Sequence, residues 1–143
     1  MVEAEQERLR KEKAKKEKEK LVSDFLIAAE KYLPLAEFSG DKHYAIFIAH
    51  SPAELVKEGN ALSHCVGHNG YDKKMANQET LIFFVRKIEE LDKPFVTIEY
   101  SLKSKRVLQC YAYENTKPDD KVLRFVHNKW LPHANKQLEK IAA

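Results

Sequence analysis

The apolar positions change their spacing along the chain, and those changes divide it into elements. From Leu21 they recur at helical intervals, at Leu21, Phe25, Ala28, Ala29, Tyr32 and Leu33, which predicts an amphipathic helix that Pro34 ends. Upstream, residues 3–20 carry Ala4, Leu9 and Ala14 among strong helix formers, and Glu7–Lys11 and Glu12–Lys16 fall at i,i+4. That stretch has no heptad seam, so it predicts a solvated helix rather than a coiled coil. "HYAIFIAH" (His43–His50) is rich in aromatic and β-branched residues and reads as a strand. Ser51, Pro52 and Glu54 then supply an N-cap, a first helical position and a capping box, with Gly59 as the stop of a helix of about two turns. Three strand-like runs follow, Thr80–Lys87, Pro94–Ser101 and Arg106–Tyr113, and their short links favour antiparallel hairpins. A last helix starts at Pro118–Asp120, with Val122, Val126, Trp130, Ala134, Leu138 and Ile141 on one stripe, and Pro132 is expected to kink or divide it.

This order predicts an α+β fold: an antiparallel meander of three to four strands packed with helices, preceded by a long charged N-terminal helix. Residues 1–20 read as a charged helical extension and residues 21–143 as a single α+β domain.

Charge narrows the picture only a little. The 143 residues hold 25 Lys and Arg against 22 Asp and Glu, a formal net charge of +3. Residues 3–20 combine eight basic side chains with six Glu, so a basic arm for nucleic acid is possible but diluted by its own acids. No apolar run approaches the roughly eighteen residues that span a bilayer, and no apolar segment follows the N-terminus as in a secretory signal. Cys65 and Cys110 are therefore expected to be reduced thiols in a cytoplasmic protein that does not engage a membrane.

The candidate chemistry is concentrated in "EGNALSHCVGHNGY", Glu58–Tyr71. It holds three of the four glycines, two of the six histidines and one of the two cysteines. Singly, Cys65 reads as a small buried hydrophobe and His64 as a satisfied polar residue; as a cluster they point to a site. Three chemistries suit the cluster. Cys65 and His68 have metal-ligand spacing, and Cys110 with His43, His50 or His127 would close a zinc tetrahedron, but no second paired motif supports one and no metal or cofactor is expected. Cys65 as a nucleophile needs a base such as His68 or His127. The third is a polar site using Thr97, Glu99 and Gln109, unusual among apolar strand neighbours. Thr97 and Glu99 share a face, and Val107, Gln109, Tyr111 and Tyr113 share another strand's face. An odd loop within "SLKSKR" brings Gln109 to Thr97 and Glu99, whereas a two- or four-residue loop sends it to the side of Val96, Ile98 and Tyr100. The odd register would make a pocket floor beneath the glycine-rich loop; the bland alternative is a solvent-facing strand side. Downstream, Tyr111, Tyr113, Asn115, Lys121, Arg124, Lys129 and Trp130 could stack on and pair with single-stranded nucleic acid, although Trp130 lies on the apolar stripe and reads as core.

The ordered set of Glu58, Gly59, Leu62, His64, Cys65, Val66, Gly67, Gly70 and Tyr71, then Arg86, then Pro94, Phe95, Thr97, Ile98 and Glu99, then Gln109 and Asn115 resembles the PcfJ-like family of phages, conjugative plasmids and integrative elements. The likeness spans about residues 43–131, chiefly the C-terminal portion of longer family proteins. One departure is that the family often has Gly before the Asn, where this chain has Tyr113 and Glu114. The resemblance implies a mobile-element setting and a site spelled by these residues. His64 would be a general base or hydrogen-bonding group, Cys65 a nucleophile or wall, and Glu99 and Gln109 polar orienters. Gly67, Tyr71, Arg86, Thr97 and Asn115 would complete the ligand site. Two functions are then in view: a polar active or ligand site acting on nucleotide or nucleic-acid substrates, or a non-catalytic accessory module that binds nucleic acid or a protein of phage or conjugation machinery. Neither implies an oligomeric state.

Overall fold

Whether the polar strand residues meet depends on how four strands are registered. A computed structural model describes residues 2–67 and 69–142, the side chain of Cys65 excepted. Helix α1 (Val2–Lys31) is continuous; residues 2–20 are exposed, and its buried face begins at Phe25, with Ala28 and Ala29. The expected Glu7–Lys11 pair forms at 3.5 Å, while Glu12 pairs with Arg8 at 3.2 Å. Pro34 ends the helix in a 3-10 turn, Leu33–Leu35. None of the described helices is long and apolar enough to cross a membrane.

Strands β1 (Tyr44–Ile48), β2 (Thr80–Lys87), β3 (Val96–Ser101) and β4 (Arg106–Tyr111) form one antiparallel sheet in the order β1-β2-β3-β4. Between β1 and β2 run helix α2 (Pro52–Leu62), a 3-10 turn (Cys65–Gly67) and helix α3 (Tyr71–Ala76). The C-terminal helix has three segments: α4 (Asp120–Arg124), a π-helical stretch (Phe125–Trp130) and α5 (Leu131–Ala142). One sheet face is apolar. Trp130 is fully buried there, with its ring 4.8 Å from Phe83 and 5.8 Å from Tyr100 between centroids. Its indole N–H donates to the Leu35 carbonyl at 2.8 Å, tying the last helix to the turn after the first. Trp130 is therefore core.

Three sequence expectations change. Gly59 does not stop α2, which continues to Leu62 and ends at Ser63 in a left-handed conformation (φ 52). A Cβ at Gly59 would lie 3.0 Å from the His64 carbonyl oxygen, and one at Gly67 would lie 2.7 Å from Val56 Cα. These glycines let the 3-10 turn pack directly on α2. The kink or division expected at Pro132 takes another form. The helix shifts to π spacing just before it, with the Leu131 N–H bonded to the Val126 carbonyl. The third change is the β3–β4 register. Ser101 pairs with Arg106 across a four-residue loop, which in a regular ladder would send Gln109 to the apolar face. A bulge intervenes. Tyr100 pairs with Val107 but Glu99 pairs with Gln109, so Leu108 is the extra residue, 51% exposed. Past the bulge, Gln109 and Tyr111 share the face of Glu99 and Thr97, while Val107 turns to the opposite face, that of Tyr100.

On that polar face α2 is clamped to β2. Glu58 and Arg86 make a fork-to-fork pair, with Arg86 donating to Glu58 at 2.6 and 2.5 Å. Both are largely buried, and burial raises the Glu58 carboxyl above its ordinary range although the Arg86 guanidinium opposes the shift. Arg86→Met would strand a buried carboxyl. We expect a loss of roughly 3–5 kcal/mol in urea denaturation at neutral pH. The loss should shrink toward pH 4, where Glu58 can take up a proton instead of remaining charged, and Glu58→Met with Arg86→Met should recover much of it.

Candidate functional site

Four elements deliver polar side chains to one place on the sheet. The 3-10 turn after α2 brings His64 and Val66, α3 brings Tyr71, β3 brings Thr97 and Glu99, and β4 with the turn after it brings Gln109, Tyr111 and Asn115. With Ile82 of β2 as floor they line a cleft of ≈ 300 Å³, its open mouth included. Its interior has room for about one water, so a larger group enters only by its edge, with its body in the open mouth.

His64 is 9% exposed. Its Nδ1 faces the Val66 N–H, which donates to it at 3.4 Å, and its Nε2 lies 2.9 Å from Thr97 Oγ1. An Nδ1 that accepts leaves the proton of a neutral imidazole on Nε2, so His64 donates to the Thr97 hydroxyl oxygen. Burial holds the imidazole pKa below its ordinary value, which favours this neutral form. Both ring nitrogens are thereby engaged, and the hydroxyl proton of Thr97 is left to point elsewhere.

Glu99 is the exceptional residue. It is 4% exposed, and Oε2 has no hydrogen-bond partner among the described residues. The ammonium of Lys74 stands 3.9 Å from it, beyond hydrogen-bond length, and 5.2 Å from the ring centre of Tyr71. The Tyr71 hydroxyl donates to Gln109 Oε1 at 3.2 Å, which leaves the Gln109 amide N–H groups as donors beside Glu99. A buried acceptor without its bond costs roughly 1–3 kcal/mol, more for a charged one, and such a group calls for an explanation. At the rim, Glu114 and Asn115 are both left-handed, at φ 54 and 59. Glu114 stands at the position before the Asn, where the resemblance expects Gly.

Of the residues singled out from sequence, His64, Tyr71, Thr97, Glu99, Gln109 and Asn115 come together here. Arg86 is engaged with Glu58 and does not line the cleft; Gly67 serves the packing on α2. His68 and the side chain of Cys65 lie outside the described residues, so their roles as nucleophile, base or ligand are not placed. Cys110 pairs with Ile98 on the far face, away from His64, and burial pushes its thiol up to about 12. Among the described residues no three His, Cys, Asp or Glu side chains converge to hold a metal ion. Sequence reasoning missed Ile82, which is visible only as the register partner of Glu99, and Lys74, which lies one helical turn beyond Tyr71.

Two outcomes follow from this geometry. With its native pKa depressed, His64 stays neutral in the fold while the unfolded chain takes up a proton below about pH 6.5. Stability is therefore full above that value and declines as pH falls below it. Urea midpoints at pH 7.5 and 5.5 should show the decline, His64→Gln should reduce it, and nitrogen NMR should find the proton on Nε2. Glu114→Gly removes a side chain from a left-handed position and should leave the melting temperature unchanged or raise it, by the equivalent of up to about 1 kcal/mol.

Comparison with known proteins adds a family. A Listeria innocua protein described as "Uncharacterized protein Lin1253/Lin1744" is 35% identical over 86 residues, 60% of this chain and 18% of that protein. The chain thus spans less than a fifth of that relative's length. No solved structure matches. The description "PcfJ-like protein" is that of the family whose sequence pattern matches residues 1–126, a stretch that contains every element lining the cleft, and the chain belongs to the PcfJ-like protein family.

Proposed function

We propose that the cleft binds a nucleotide-class ligand, either free or as an unstacked base in a single strand, with the base edge inward and the phosphate outside. The observation that carries this reading is Glu99: a buried carboxylate oxygen without a hydrogen bond among the described residues, set beside a Gln109 amide whose oxygen is engaged by Tyr71. An acceptor next to a donor complements the amide or amidine edge that a nucleobase presents. Apolar Val66 and Ile82 and the rings of Tyr71 and Tyr111 supply surfaces for a flat ring. Among the described residues Glu99 is the only charged side chain in the lining, His64 being neutral, which favours keeping phosphate outside the cleft.

Binding is the reading that the described residues support, since both His64 nitrogens are engaged and His64 orients Thr97. On this reading the domain is a recognition module, in the mobile-element setting that the resemblance implies. A second reading, the accessory module that binds through its charged arm, draws on the full exposure of residues 2–20. Its basic side chains are partly paired with their own Glu neighbours, as in Arg8–Glu12 and Lys11–Glu7.

Calorimetric titration with mononucleotides, single-stranded oligonucleotides and duplexes distinguishes the two. Mononucleotides and single strands should bind in preference to duplex. Thr97→Val and Tyr111→Ala should each weaken binding about tenfold with circular dichroism unchanged. Charge reversal at Lys13, Lys15 and Lys16 should leave mononucleotide binding intact. No binding of any of these ligands would overturn the proposal. Binding of oligonucleotides alone, lost on that charge reversal and indifferent to Thr97 and Tyr111, would put the arm in its place.

A further inference from the structure

The cleft carries one more feature, and it specifies the ligand more closely. The Lys74 ammonium stands 3.9 Å from Glu99 Oε2 and 5.2 Å over the Tyr71 ring. A carboxylate and an aromatic face together favour an electropositive N–H group. Lys74 reaches this seat incompletely. It stops short of a hydrogen bond, and its side chain remains 47% exposed while Glu99 is 4% exposed. The lysine therefore screens the carboxylate without satisfying it. A ligand group that enters from the cleft and donates a full hydrogen bond to Oε2 gains what Lys74 leaves unmade.

We infer that the seat formed by Glu99 and Tyr71 is selective for a base bearing an exocyclic amino group, and that Lys74 is a displaceable plug covering that seat until such a base enters. The inference rests on the nucleotide reading above and names its ligand more narrowly. Cytosine is the instructive case. Its amino N–H can donate to Glu99 while its adjacent ring nitrogen accepts from the Gln109 amide. Uracil carries a carbonyl oxygen at the amino position. If that oxygen points at Glu99 it meets a like partial charge. If the ring N–H is turned there instead, one flanking carbonyl can accept from Gln109, but the other is pressed against the carboxylate. Thr97, whose hydroxyl proton is freed by the His64 donation, adds a donor for a ring acceptor. Lys74, whose side chain is already half exposed, turns to solvent once displaced.

The test compares cytidine and uridine 5′-monophosphate, which share ribose and phosphate, by calorimetry at one ionic strength. Wild-type protein should bind the cytidine nucleotide about tenfold or more tightly. Glu99→Gln, whose amide can donate as well as accept, should bring the two within about twofold of each other. Lys74→Met should bind the cytidine nucleotide several-fold more tightly than wild type and keep the preference. Equal binding of the two nucleotides by wild type would overturn the amino-group inference and leave the nucleotide reading standing. Binding of neither would overturn both. Weaker cytidine-nucleotide binding by Lys74→Met would overturn the plug and make Lys74 a phosphate contact instead. The wild-type comparison needs no variant, so it holds even if Glu99→Gln fails to fold.

Discussion

The site depends on one cross-strand pairing, Glu99 opposite Gln109. A β-ladder has a period of two, so a slip of one residue would exchange Gln109 for an apolar neighbour and leave Glu99 facing Leu108. The four-residue loop alone prescribes that wrong arrangement. The bulge at Leu108 reverses it by adding one residue to β4 at an exposed edge, where an unpaired residue costs least. Everything beyond the bulge, Gln109 and Tyr111 included, is aimed by this single irregularity.

A pairing of this kind is useful only if its surroundings are held still. Two buried interactions do so from opposite faces. Below the sheet, Trp130 packs on Phe83 and Tyr100 while its N–H ties the last helix to Leu35. Above it, Arg86 and Glu58 fasten α2 to β2, and the close approach at Gly67 sets the 3-10 turn against α2. The roof over Glu99 is thus fixed by packing and by a fork-to-fork ion pair distinct from the cleft. That separation lets Glu58 and Arg86 be structural while Glu99, also a buried carboxylate, remains unsatisfied and available.

Much of this was legible residue by residue. The capping box at Ser51 and Glu54 formed as read, with hydrogen bonds of 3.3 and 3.1 Å, because it involves groups three residues apart. Pro34 ended α1, and the apolar stripe through Trp130 marked the core face. Thr97, Glu99 and Gln109 stood out because polar groups among apolar strand residues demand partners. What misled was local too. Gly59 read as a helix stop because stopping is the commonest local use of Gly, yet its reason is a backbone brought from five to eight residues downstream. Pro132 read as a kink or division because its missing N–H is a local fact, and the interruption came as a π turn just before it.

The chain by itself determined the element types, their order, the antiparallel meander and the identity of the polar residues, since periodicity, caps and turn lengths are properties of neighbouring residues. Tertiary structure alone decided that Gln109 faces Glu99, that Arg86 is spent on Glu58, that Cys110 lies across the sheet from His64, and that Lys74 hangs over the carboxylate. The physical reason is that each of these turns on register or on contact between distant segments. Their energies are settled only when loop, bulge and both packed faces are satisfied together.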